Sequence, residues 1–166
     1  MKLHLEEEIN ASADKVWTIL AHQFAEIGDW ASTVHTSRVI DMSEVPNDFN
    51  VAATAPVPGR ATTNELGELR EILTEYSEAN KELTFRVAGL PRIMKSAVDI
   101  QKVIPKGPDK CLMTFDIEMI ARGPFRLLGP VLKQRLTGGL GDLLKELKLY
   151  AETGQLSEKK RKQLEK

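Results

Sequence analysis

An α+β fold, with an antiparallel sheet curved around one long C-terminal helix, follows from three observations. Leu3, Leu5 and Ile9 alternate with polar residues, the period of a half-buried strand. From Gly59 to about residue 121, short segments of β-forming residues are divided by turn residues. From Gly129-Pro130 onward, leucines recur at helical spacing as far as Tyr150. A sheet that curves around such a helix leaves a cavity between them.

Taken in order, the first strand is expected at 2–10, followed by two short helices at 13–21 and 23–29. Ser12 is placed to cap the free amides of the first helix, and Asp14 lies near its positive end. A second strand is expected at 35–43, and Pro46, Pro56, Pro58 and Gly59 make 46–59 a loop able to cover a pocket mouth. The segments 60–66 and 69–76 flank Gly67-Glu68, a two-residue hairpin connection. That register sets Asn64 against Glu71, Thr62 against Leu73 and Arg60 against Glu75, all on one face. Further strands are expected at 82–88, 95–104 and 110–121, joined by turns at Asn80, Gly89-Leu90-Pro91 and Pro105–Pro108.

Gly123-Pro124 ends the last strand, and Gly129-Pro130 opens the long helix, with proline at its first position. Its apolar stripe is Leu132, Leu136, Leu140, Leu143, Leu147 and Tyr150, with Leu128 just upstream. Gly138, Gly139 and Gly141 interrupt it, each at a cost of up to about 1 kcal/mol relative to alanine. They are read as close approach to the sheet, as room for a ligand, or as a kink. Residues 1–153 form one domain on this reading, and 154–166 a charged, solvated tail.

Composition excludes more than it selects. The 166 residues are 42% hydrophobic and 28% charged with a net charge of −1, so neither nucleic acid nor an anionic membrane is the expected partner. No apolar run is long enough for stable membrane insertion, and Glu6-Glu7-Glu8 interrupts any signal-peptide core. Cys111 is the single cysteine, which favours a cytoplasmic setting. His4, His22 and His35 are scattered, so no metal site is expected, and no phosphate-binding glycine loop or other cofactor motif is present.

Polar residues among apolar ones on the presumed concave face carry the functional signal. Arg60, Asn64, Glu71 and Glu75 alternate with apolar positions in the first hairpin, and a buried charge is costly unless paired or hydrated. They point to a cavity holding water, with Arg60–Glu75 a cross-strand pair. The opposite assignment of faces would instead make Ile72 and Tyr76 the core.

The chain resembles the START-related, Bet v 1-like helix-grip superfamily, in particular its bacterial polyketide cyclase/dehydrase-like branch. The resemblance is carried by Ile9–Trp17 and Trp30, by Gly59-Arg60, Gly67 and Arg70–Leu73, and by Leu83–Val87 and Leu90-Pro91. Pro105, Met113–Phe115 and the terminal helix complete it over residues 2–152. It implies a seven-stranded antiparallel sheet gripping the last helix, with Arg60 and Glu71 directed inward and Phe115 where tryptophan is frequent. Relatives bind lipids, sterols, hormones, quinones or polyketides, and a few catalyse cyclisation or dehydration.

The first functional expectation is therefore binding of a small apolar or amphipathic ligand in an internal cavity. Trp30, Phe85, Phe115, Leu132, Leu136 and Leu140 would line it, with Arg60, Asn64 and Glu71 as its polar groups. The alternative is a cyclase or dehydratase, with Glu71 or Glu75 as base and Arg60 stabilising an oxyanion. A third is a chaperone-assisting or regulatory module that docks partners through an exposed apolar 46–59 loop.

Overall fold

The computed structural model describes residues 1–65, 67–124 and 129–165, apart from the side chain of Leu132. Seven antiparallel strands form one sheet in the order β1-β7-β6-β5-β4-β3-β2. They are β1 (Lys2–Ile9), β2 (Thr36–Val39), β3 (Gly59–Asn64), β4 (Gly67–Ser77), β5 (Glu82–Ala88), β6 (Met94–Gly107) and β7 (Lys110–Ala121). Between β1 and β2 lie α1 (Ala13–Trp17), a π turn, a 3₁₀ turn and α2 (Ile27–Trp30), and the chain closes with α3 (Gly129–Thr153) and α4 (Glu158–Leu164). Ser12 caps α1 as its position implies, its Oγ accepting from the Lys15 amide at 3.2 Å.

The β3–β4 hairpin departs from the expected register by four residues. Asn64 pairs with Gly67 and Arg60 with Glu71, so the Arg60–Glu75 pair does not form. Two glycines explain the shift. Gly67 has a φ of 105°, which a side chain would strain, and a Cβ on Gly59 would lie 2.2 Å from the Glu71 carbonyl oxygen. An even-numbered slip leaves each side chain on its expected face. A bulge between Leu73 and Glu75 then reverses the face beyond it. Leu73 and Tyr76 both turn to the core, while Glu75 is exposed and accepts from the Thr84 hydroxyl at 2.9 Å.

The core lies between the concave face and the helices, with Trp17, Phe24, Phe115, Leu83, Met113 and Leu147 all fully buried. Each such side chain contributes roughly 1.5–3 kcal/mol by leaving water. Ile72 belongs to a second, smaller cluster with Ile40 and Ala61, covered by Val45, Phe49 and Val51. The 46–59 loop therefore spends Phe49 and Val51 on the outer face of β3 and β4 rather than exposing them. Arg86 stacks over the Phe49 ring at 4.3 Å.

Burial along α3 is graded. Leu136 and Leu140 are half-buried, whereas Leu144, Leu147 and Ala151 are almost wholly enclosed. Lys148 fastens the C-terminal half to β1, donating to Glu7 at 2.9 Å and to the Glu8 carbonyl at 2.7 Å.

The chain after α3 is helical and mostly exposed, in keeping with its charge, but it is anchored at one point. Helix α4, capped by Ser157, packs back so that Lys160 is fully buried and donates to the Val34 carbonyl at 3.0 Å. Glu146 of α3 accepts from the Ser32 amide and the Ser157 hydroxyl, at 2.8 and 2.7 Å, and joins three segments. Lysines read as a charge run thus include one structural anchor.

Candidate ligand cavity

The two ends of the space between sheet and α3 differ. At one end the α1–α2 segment closes it with two aromatic pairs. Trp17 packs on Tyr76 at 5.5 Å between ring centroids, and Trp30 stacks on Tyr150 at 6.3 Å. At the other end, where β1 and β6 begin and β7 finishes, lies a pocket of about 340 Å³ lined by Met1, Met94, Glu118, Met119, Ile120, Ala121 and Gly129. Thioether side chains are flexible and polarisable, and they adapt to apolar guests of varied shape.

A Cβ built on Gly138, Gly139 or Gly141 meets nothing within 4 Å among the described residues. Close approach to the sheet is therefore not why these glycines are present. Gly139 stands three and four residues from Leu136 and Leu143, on the inward stripe.

Strand register arranges the concave face in rows. Arg60 lies opposite Glu71, and Glu71 opposite Val87, nearest the open end. The next row runs Leu73, Phe85, Asp99, Ile117 and Leu3, and the one beyond it Leu83, Gln101, Phe115 and Leu5. Arg60, Glu71 and Phe85 are thus brought together. The guanidinium Nε donates to Glu71, Nη1 donates to the Phe24 carbonyl at 2.6 Å, and the group stacks over the Phe24 ring at 3.9 Å. The Phe85 ring lies 5.6 Å from the same guanidinium carbon.

Asp99 and Gln101 were not singled out from the sequence. Their strand also presents Val98, Ile100 and Ile104 on the opposite face, so periodicity gave no reason to turn the polar side inward. Asp99 is 7% exposed, and its Oδ2 accepts from Gln101 Nε2 at 3.0 Å. Among the described residues its Oδ1 has no hydrogen-bond partner. Burial pushes its carboxyl up from 3.8 to about 7, and the nearby Glu71 carboxylate adds to the rise.

The other expected positions separate. Phe115 adjoins Gln101 across β6 and β7, and Leu136 and Leu140 border the core from α3. Asn64 lies at the open end of β3. Trp30 sits at the closed end on Tyr150. The side chain of Leu132, and Leu128, fall outside the described residues. Cys111 is buried, which pushes its thiol up to about 11 and leaves it a poor nucleophile. His4 is exposed and bonded to Asp116 at 2.7 Å, and no group of three potential metal ligands occurs among the described residues.

A family model described as polyketide cyclase / dehydrase and lipid transport matches residues 1–152. The chain belongs to this family.

Solved structures agree on the architecture. A START superfamily protein from Mycobacterium smegmatis is 17% identical, with 93% of this chain and 99% of that one covered at a TM-score of 0.72. A Thermobifida fusca protein is 21% identical over 90% and 92% of the two chains, with a TM-score of 0.66. Norcoclaurine synthase from Thalictrum flavum, in complex with dopamine and hydroxybenzaldehyde, is 18% identical over 92% and 87%, with a TM-score of 0.60. At these identities the likeness is one of fold, the helix-grip fold of the START-related and Bet v 1-like superfamily. No curated protein matches the sequence. No described helix is long and apolar enough to cross a membrane.

Proposed function

We propose that this protein binds a small apolar or amphipathic molecule between α3 and the concave face of the sheet, reached through the methionine-lined opening. The observation that carries this reading is the open space at Gly139 on the inward stripe of α3, beside a half-buried Leu136 and Leu140. Helices in filled cores do not present glycine to empty space, because alanine there would be more stable. Phe85, Phe115, Leu136 and Leu140 would supply apolar contact, with Leu132 a further candidate from the sequence. The Arg60–Glu71 pair gives the cavity a fixed polar wall. Asn64 would lie near the mouth, whereas Trp30 would serve the closed end.

Binding is favoured over turnover by the way Arg60 and Glu71 are used. Each is committed to the other, and Arg60 also to the Phe24 carbonyl, so a role as base and oxyanion clamp would first require their separation. Docking of partners through the 46–59 loop is disfavoured because Phe49 and Val51 already cover Ile72 and Ala61. A reduced, cytoplasmic setting fits the single free cysteine.

Native mass spectrometry of the purified protein, followed by extraction and identification of released molecules, tests the reading. A stoichiometric lipid-, quinone- or polyketide-like adduct, lost in Gly139→Trp, is the expected result. A wild-type protein without adduct that also shows no thermal shift with apolar compounds would overturn it.

A further inference from the structure

Among the described residues, Asp99 is the enclosed carboxyl on the concave face whose charge has no dedicated partner. It stands in the central rows of the sheet, opposite Phe85 on β5 and Ile117 on β7. Two residues beyond Ile117 on the same face is Met119, a wall of the open end, and two strand residues span about 7 Å. On the ligand-binding reading, a molecule entering past Met119 would reach the row of Asp99 next.

The charges around it set its state. Arg60 on β3 and Glu71 on β4 are the charged groups facing this region, and they neutralise each other. Glu7 of β1 is bonded to Lys148 of α3, and Asp116 is an exposed residue on the far face of β7. Strand β5 turns Leu83, Phe85 and Val87 inward, and among the described residues the inward stripe of α3 offers Leu136, Gly139, Leu140 and Leu143 here. A second negative charge beside Glu71 would have no counter-ion. Burial and Glu71 both favour the protonated acid, as the shift to about 7 reflects.

Resting on the ligand-binding reading above, we infer that Asp99 is the polar recognition point of the cavity, donating a hydrogen bond from its unpartnered Oδ1 to a neutral acceptor oxygen of the ligand. Gln101 fixes the carboxyl by donating to Oδ2, which leaves Oδ1 as the site of the proton and of the bond to the ligand. The preferred ligand is an apolar molecule bearing a ketone, quinone or ester carbonyl. A free carboxylate is selected against, because it would meet Glu71 and a protein acid with no cation to spare. Hydrogen-bond-based selection is stringent in a dry site, since a buried polar group left unpaired costs more than a lost methylene.

The test uses three probes of one shape: 2-acetylnaphthalene, 2-ethylnaphthalene and 2-naphthoate, titrated calorimetrically at pH 6 and pH 8.5. In the wild type, preference for the ketone over the hydrocarbon should fall about tenfold from pH 6 to pH 8.5, the worth of one hydrogen bond in a buried site. Naphthoate should bind more weakly than the ketone at both values. Asp99→Asn, which keeps shape and an N–H donor, should retain a ketone preference that no longer depends on pH. Asp99→Leu should lose that preference. Equal binding of ketone and hydrocarbon at both pH values, or a preference unchanged in Asp99→Leu, overturns the role of Asp99 while leaving the apolar cavity standing. Tighter binding of naphthoate overturns the selectivity. If the wild type takes up none of the three, the ligand-binding reading itself fails, and this inference with it.

Discussion

Arg60 and Glu71 lie directly opposite each other on β3 and β4, and their side chains form a salt bridge on the concave face with only 6% and 16% of their surfaces exposed. Breaking a buried ion pair leaves one charge without compensation, which costs more than removing both. Arg60→Met and Glu71→Gln should each lower stability by about 3 kcal/mol. The double variant Arg60→Met/Glu71→Leu should lose less than the sum of the two. Urea unfolding of all three measures the coupling, and strict additivity would show that the pair is not a unit.

Asp99 should make stability fall with rising pH. Its folded value of about 7 lies above its ordinary 3.8, so between these limits the folded state holds the proton that the unfolded chain has released. Its contribution is complete below about pH 4, is lost as pH rises toward 7, and changes no further above that. Asp99→Asn should flatten this part of the profile. Denaturant midpoints between pH 4 and pH 8 provide the check, with an unchanged slope in the variant as the contrary result.

Gly138 and Gly139 sit in a helix, and among the described residues nothing lies near their absent side chains. Replacing either with alanine should raise stability by up to about 1 kcal/mol, the difference in helix propensity. Destabilisation in equilibrium unfolding would mean that sheet and helix meet more closely there than the structure places them.

Lys160 anchors α4. Lys160→Ala would strip the buried Val34 carbonyl of its donor and leave a void, a loss of about 1–3 kcal/mol. Ending the chain after Gly154 should have a comparable effect, because it removes both Lys160 and the Ser157 contact to Glu146. Thermal unfolding of the two forms tests this, and an unaltered midpoint in both would make α4 a bystander.

Much of the fold was legible because apolar period and turn chemistry agree along most of the chain. The strands 82–88 and 110–121 and the leucine stripe of α3 are cases where one pattern runs uninterrupted. The hairpin register was not legible, because a slip of four residues satisfies the same alternation and the deciding contact, Gly59 against Glu71, crosses strands. The bulge after Leu73 reversed Glu75 and Tyr76 for the same reason, since strand irregularities leave no periodic trace. At the site, Arg60 and Glu71 stood out as charges among apolar neighbours. Asp99 did not, because both faces of β6 carry apolar residues and the outer ones are half-exposed. Lys160 was hidden within a run of like residues whose partners lie far away in sequence.

The central claim, that apolar ligands occupy the space between α3 and the sheet, is tested most directly by methyl NMR of the five methionines during titration with 2-acetylnaphthalene. Met94 and Met119 line the opening, whereas Met42 is 62% exposed and lies in the segment that follows β2. The account predicts saturable shifts of the Met94 and Met119 methyls at one equivalent, with Met42 unmoved. Shifts confined to Met42, or no saturable shift at any methionine, would contradict it.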